Sequence, residues 1–211
     1  MLNAGNLTIW ELAVREPLPL AQIQESVLEF LRGREDTAVL GAQAVNAYVG
    51  EARMTQGIDL LSTRAEELAG KLREHLTRKF HIALRVREVA GGKGFWLYQT
   101  QKTGSRHLVD LRFVKELPAT KKIENIQVLS PVPLIASKVI SYNARRGKPK
   151  SGTDWRDLAM LLLTFPELKS ATGAVADHLK MAKADDKVLV VWRELVAQDF
   201  KIGKEDLDLD F

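Results

Sequence analysis

Hydrophobic periodicity changes once along this 211-residue chain, near residue 130, and that change limits the fold more than any other feature. Before it, short apolar runs that alternate like strands are interspersed with stretches whose apolar residues recur every three to four positions, as in helices. After Pro131 only the helical spacing remains. The fold class expected is α/β (α+β): a mixed β-sheet with flanking helices over residues 1–130, including an N-terminal helix, then a helical C-terminal domain over residues 131–211.

Within the first part, Leu20, Ile23, Val27, Phe30 and Leu31 share helical spacing, and Arg32-Gly33-Arg34 ends that helix. Ala38-Val39-Leu40 reads as a short buried strand. Gly41 then turns the chain into a helix over Gln43 to Tyr48, and Gly57 to Leu61 is the next strand. Thr63 is placed to cap a long helix with Leu68, Leu72, Leu76 and Phe80 on one face. Ile82–Val89 and Phe95–Thr100 alternate around Ala90-Gly91-Gly92-Lys93-Gly94, the pattern of a hairpin. His107 to Val114 is a further strand. Beyond the change, helices are expected over Pro133–Arg145, Asp154–Leu163, Val175–Ala182 and Lys187–Gln198. Residues 1–17 read as irregular or as the start of a helix. Trp10, Trp155 and Trp192 are assigned to core packing.

Several function classes are excluded or made improbable. Hydrophobic residues make up 45% of the chain, enough for a core, yet no apolar run is long enough to span a bilayer, so no membrane partner is expected. The opening MLNAGNLTIWEL lacks a basic region followed by an apolar block, so it does not read as a secretion signal. The chain has no cysteine, which removes disulfides, thiolate catalysis and cysteine–zinc sites and is compatible with a cytoplasmic location. The net charge of +4 permits a phosphate-bearing partner. His75, His81, His107 and His178 show no ligand spacing. No Gly-x-Ser-x-Gly elbow is present, and the AGGKG stretch joins two strands instead of a strand and a helix, so it reads as a hairpin turn. The acidic tail GKEDLDLDF reads as a solvated terminus.

Chemistry-bearing residues fall on both sides of the change. Side chains on a strand alternate with period two. Asp59 therefore opposes Ile58 and Leu60, and Asp110 shares its face with Arg112, opposite Val109, Leu111 and Phe113. If those strands are neighbours, Asp59 and Asp110 converge, and two carboxylates suit a hard cation such as Mg²⁺ that also takes phosphate oxygens. Taken alone, the two strands fit better a pair of polar residues on half-exposed strands. The Gly41-Ala42 turn leads into a helix whose free N–H groups could bind phosphate. Downstream lie Lys138, the basic Arg145 and Arg146, then Asp154 and Asp157. These suit triphosphate contacts and an orienting or basic carboxylate. They equally suit a solvated basic loop and acids in the first turn of a helix capped by Ser151 or Thr153.

The order of these segments is more specific than any one of them. A Gly-small turn before a helix, Arg-x-Thr-x-x-Ile-Asp-Leu, a lone Asp in a later strand, and A-x-K…R…D-x-x-D-L resemble the AbiEii-like nucleotidyltransferases, toxins of bacterial toxin–antitoxin pairs within the DNA polymerase β-type superfamily. The resemblance spans residues 38–163. It implies a nucleoside triphosphate substrate, Mg²⁺ (or Mn²⁺) as cofactor, and transfer of a nucleotidyl group to an acceptor. Some members use the 3′ end of tRNA, and other proteins of the fold modify proteins or aminoglycosides. A cognate antitoxin is an implied partner. By resemblance the metal falls to Asp59 and Asp110, and the nucleotide to Gly41, Ala42, Arg53, Thr55, Lys138 and Arg145. Catalysis falls to Asp59, Asp110, Lys138 and Asp154, with Asp157 as the second acid of that pair.

Two departures qualify the resemblance. The family's metal strand carries Asp-x-Asp, which falls here on Gly57, Ile58 and Asp59, so glycine replaces the first acid. Ala42 also removes a possible hydroxyl. Fewer ligands imply weaker stabilisation of transition-state charge and hence impaired activity. The alternatives are a catalytically inactive member of the fold that binds nucleotide, RNA or protein, and an interaction protein unrelated to nucleotides.

Overall fold

A computed structural model describes residues 18–101 and 104–201 of the chain. They divide into two compact units between Ser130 and Pro131. Expectations for residues 1–17, including Trp10, and for the acidic tail lie outside the described residues.

The first unit contains α1 (Leu20–Leu31), β1 (Thr37–Leu40), α2 (Gly41–Tyr48), β2 (Ile58–Ser62), α3 (Ala65–Phe80), β3 (Leu84–Val89), β4 (Gly94–Gln101), β5 (Gly104–Phe113), β6 (Thr120–Ile123) and β7 (Ile126–Leu129). All seven strands form one mixed sheet in the order β3-β4-β5-β2-β1-β7-β6. β2 runs parallel to β5 and β1 parallel to β7, while the other neighbours are antiparallel. This is the mixed α/β architecture expected from the sequence.

Apolar patterning explains the layers. Every residue of β1, TAVL, is buried, as suits a strand near the middle of the sheet. On α3, Leu68, Leu72 and Leu76 recur at helical spacing and are fully buried against β2, β3, β4 and β5. Glu66 and Glu67 in its first turn and Arg78 and Lys79 in its last complement the helix dipole. Thr63 does not cap this helix. The helix starts after Arg64, whose N–H donates to Ser62 Oγ at 3.0 Å. The β3–β4 hairpin forms around Gly91 and Gly92, both with positive φ. The β6–β7 hairpin is an addition to the sequence reading. Each strand has only four residues, too few for a clear alternation, and the turn signal is confined to Glu124 and Asn125, both at positive φ.

The stretch leading into β2 is held by side chains rather than by secondary structure. Asn46 Nδ2 donates to Arg53 O at 2.8 Å and Asn46 Oδ1 accepts from Arg53 N at 3.1 Å, so one amide imitates a strand partner. Thr55 is buried between two helices. Gln24 Nε2 of α1 donates to Thr55 O and to Thr55 Oγ1, both at 3.1 Å, and Gln43 Nε2 of α2 donates to the same hydroxyl at 3.3 Å.

The second unit contains α4 (Pro131–Ala144), α5 (Lys150–Thr164), a 3₁₀ turn (Pro166–Leu168), α6 (Ala174–Met181) and α7 (Asp186–Val196). α4 packs against α5, α6 and α7. Trp192 is buried and its Nε1 donates to Ser170 O at 3.0 Å. Trp155 is not a core residue. It is 40% exposed, with its ring edge-on to Phe200 and its Nε1 donating to Gln198 Oε1. α5 begins at Lys150, after Pro149, with no side-chain cap. Asp154 and Asp157 are thus its fifth and eighth residues, and the capped first-turn arrangement considered from sequence does not occur.

Thr55→Val keeps the volume but removes the hydroxyl that two buried amides share. The expected cost is about 1–3 kcal/mol, because buried donors lose their acceptor. Urea unfolding that gives the variant the stability of the parent would show that this network does not hold the segment.

Candidate functional site

Backbone register brings the two strand aspartates together. β1 pairs with β2 so that Leu40 faces Asp59, and β2 pairs with β5 so that Asp59 faces Asp110. Directly opposed residues in a ladder point to the same side. Asp59 and Asp110 therefore stand side by side on one face of the sheet, both partly exposed. A cation joins them. Arg112, two residues beyond Asp110 on the same face, lies 3.8 Å from Asp59 Oδ1 through Nη2 and 3.7 Å from Asp110 Oδ1 through Nε.

Gly41 completes this group. It opens α2 directly after β1 and has φ +68°. A Cβ at this position would lie 2.1 Å from Asp59 Oδ2 and 2.8 Å from Asp59 Cγ. Glycine is required here twice over, by the left-handed backbone and by the carboxylate that takes the space of a side chain. The N-terminus of α2, with Ala42 in its first turn, consequently lies against the Asp59 carboxylate. Its first N–H groups have no partners within the helix.

Gly57 immediately precedes β2. A Cβ there would come within 3.1 Å of Leu108 O and 3.2 Å of His107 Nδ1. Glycine at this position thus has a packing reason. β5 crosses closely, and the register between β4 and β5 shifts between Leu97 and Tyr98, beside His107 and Leu108. Any side chain at position 57 requires the Leu108 carbonyl and the His107 ring to give by a few tenths of an ångström.

Arg53 and Thr55 lie in the clamped segment before β2. The Arg53 backbone is bound to Asn46, and its Nη1 donates to Met54 O at 3.2 Å. The Thr55 hydroxyl is occupied by Gln24 and Gln43. Both residues secure the approach to Asp59.

The remaining candidates form a cluster within the second unit. Lys138 Nζ of α4 donates to Asp157 Oδ2 of α5 at 2.6 Å and lies 3.6 Å from Asp154 Oδ1. Arg145 Nη1 donates to Asp154 Oδ2 at 2.8 Å. The lysine is 8% exposed and Asp157 0%, while Arg145 remains 40% exposed. Arg146 pairs with Glu194, and that hydrogen bond raises its pKa further above the usual arginine value. Lys138, Asp154 and Asp157 are thus a buried ion cluster that ties α4 to α5, with Arg145 at its exposed end.

The donor set around Asp59 can be tested against a divalent cation. Mg²⁺ in phosphoryl-transfer sites is commonly held by one or two carboxylates plus substrate phosphates. Asp59 and Asp110 side by side, with the α2 N-terminus adjoining, fit that pattern. They do not amount to an all-protein cage. Among the described residues, no group of three or more His, Asp or Glu is arranged to hold a metal ion. Sequence reading had Arg112 on the correct face but gave it no role. His107 beside Gly57, and Trp96 beside His107, had no local sequence signal, because their adjacency depends on strand order.

No protein-family model and no curated protein matches the sequence. Solved structures do. The Megavirus polyadenylate synthase is similar over 78% of this chain at a TM-score of 0.60 and 15% identity. This chain spans 35% of that protein, about a third of its length. JHP933 from Helicobacter pylori is similar over 92% of this chain and 83% of its own, at a TM-score of 0.56 and 14% identity. The structural neighbours are nucleotidyltransferase-fold proteins, and the fold described above is of that type.

Lys138→Met removes the ammonium beside a fully buried carboxylate. Breaking a buried pair from one side costs about 3–5 kcal/mol, whereas replacing both partners costs much less. Urea titration should therefore show Lys138→Met strongly destabilised and the Lys138→Met/Asp157→Leu pair largely restored. A single variant as stable as the parent would contradict the ion-network description.

Proposed function

We propose that this nucleotidyltransferase-type chain binds a nucleoside triphosphate with Mg²⁺ (or Mn²⁺) at Gly41, Asp59 and Asp110 and transfers its nucleotidyl group to an acceptor, in the manner of AbiEii-like toxins. The observation that carries the proposal is the Gly41–Asp59–Asp110 juxtaposition. A glycine-opened helix N-terminus, suited to phosphate, adjoins two carboxylates suited to a hard cation. Transfer joins an acceptor oxygen to the α-phosphorus and releases pyrophosphate. A bound Mg²⁺ would offset phosphate charge and stabilise the developing negative charge of the transition state.

This chain's own residues supply the rest. Asp59 and Asp110 hold the cation, and the α2 N–H groups from Ala42 onward cradle phosphate oxygens. Arg112, 52% exposed, is free to turn from the carboxylates to a phosphate once a cation takes its place. Arg53 and Thr55 keep the β2 approach in position. In the second unit, Lys138, Asp154 and Asp157 hold α4 on α5, and Arg145, bonded to Asp154, keeps an exposed guanidinium. The 3′ end of tRNA is the acceptor taken from the resemblance, and a cognate antitoxin its partner. A cysteine-free chain suits the cytoplasm. Among the described residues, no helix is long and apolar enough to cross a membrane.

Gly57 weighs on the chemistry. The site offers two carboxylates where the family offers three, so catalysis is expected to be slow. A second reading, a catalytically silent module that binds nucleotide, RNA or protein, is supported by the same glycine and by its tight fit against β5.

Isothermal titration with each of the four ribonucleoside triphosphates and Mg²⁺ tests the proposal. At least one should bind, and Asp59→Asn should weaken it at least about tenfold, equivalent to ~1.4 kcal/mol. Failure of all four to bind a folded protein would refute it. Binding without labelled-nucleotide transfer to a tRNA pool would select the silent-module reading.

A further inference from the structure

The sheet face that carries Asp59 and Asp110 continues beyond them as a row of directly opposed residues. Asp110 faces Trp96 on β4, and Trp96 faces Arg87 on the edge strand β3. Four strands thus present Asp59, Asp110, Trp96 and Arg87 in one line. The next row holds His107, opposite Tyr98, and Arg85, opposite the same tyrosine.

Trp96 is 37% exposed on this face. The His107 ring stands edge-on to it at 5.9 Å and 90°, and the Arg87 guanidinium lies 6.0 Å from its centroid. An indole fixed from two sides and still open to solvent is a ready stacking platform. Its neighbours decide what stacks there. Arg112 is offset by Asp59 and Asp110 on the same face, whereas Arg85 and Arg87 lie on the edge strand beyond Trp96, so the side of the indole away from the carboxylates favours an anionic ligand. Aromatic rings among arginines are the combination that holds unpaired nucleic acid, with bases on the rings and phosphates on the cations. A duplex keeps its bases stacked inside and cannot use such a ring.

We propose that the Trp96–His107–Arg87 face is the docking site for an unpaired nucleic-acid strand, one base of which stacks on Trp96. This gives the nucleic-acid acceptor of the transfer proposed above a docking surface and rests on that reading. Register supplies the geometry. Trp96 is one strand spacing, about 4.8 Å, from Asp110 and two from Asp59. A strand whose base lies on Trp96 therefore brings its neighbouring sugar towards the carboxylate pair.

Fluorescence anisotropy of a labelled single-stranded RNA of a dozen adenylates, without nucleoside triphosphate or divalent metal, tests this. Trp96→Ala should weaken binding about 5- to 150-fold, the equivalent of ~1–3 kcal/mol for one stacked base. Trp96→Phe, which keeps a ring and guards against misfolding of the alanine variant, should stay within a few-fold of the parent. Arg87→Gln should weaken binding and reduce the salt slope by about one. Three results would overturn the proposal: unchanged RNA affinity in folded Trp96→Ala, equal affinity of the parent for duplex and single strand, or loss of triphosphate binding in Trp96→Ala with RNA binding intact. The assay contains no triphosphate, so failure of the nucleotide site is read separately, by titration of Asp59→Asn.

Discussion

The close approach between Gly41 and Asp59 sets the arrangement of the first unit. The β1–β2 register puts Leu40 opposite Asp59, so the turn out of β1 must pass directly beside that carboxylate. Only a residue without Cβ fits, and the positive φ of Gly41 starts α2 without a clash. From this point the helix N-terminus, the two-stranded carboxylate pair and the clamped entry to β2 follow. Gln43 and Asn46, both on α2, then hold the 49–57 segment that delivers Asp59.

Charge is handled differently in the two units. On the sheet, Asp59 and Asp110 are partly exposed and share Arg112 at distances beyond a hydrogen bond. Arg112, about half exposed, can exchange one partner for another at little cost. In the second unit, Lys138 and Asp157 are buried and hydrogen-bonded at 2.6 Å, where separation is expensive. The first arrangement suits a ligand site and the second suits the fixing of α4 on α5. Gly57 belongs with the first. Its missing side chain lowers the acid count of the site, and its proximity to His107 and Leu108 allows β5 to lie close.

Much of this was legible in the residues, for local reasons. Period-two alternation put Asp59 and Asp110 on definable strand faces, and the 3.6-residue spacing of Leu68, Leu72 and Leu76 marked α3. The Gly41 turn was visible because glycine interrupts an apolar run. What stayed hidden depended on strand order or depth. Trp96, His107 and Arg87 meet only because β4 lies between β3 and β5 with a register shift. Thr55 and Lys138 look like ligand contacts in sequence, yet their polar atoms are engaged by Gln24, Gln43 and Asp157. Trp155 looks like core and is exposed. The β6–β7 hairpin consists of strands too short to carry a period.

Diffraction from crystals soaked with Mn²⁺ and a non-hydrolysable ribonucleoside triphosphate tests the central claim most directly. The account predicts anomalous density for manganese in contact with both Asp59 and Asp110, with triphosphate oxygens at the Gly41–Ala42 end of α2. A triphosphate bound elsewhere, or an Arg112 still bridging the two aspartates with no metal beside them, would contradict it.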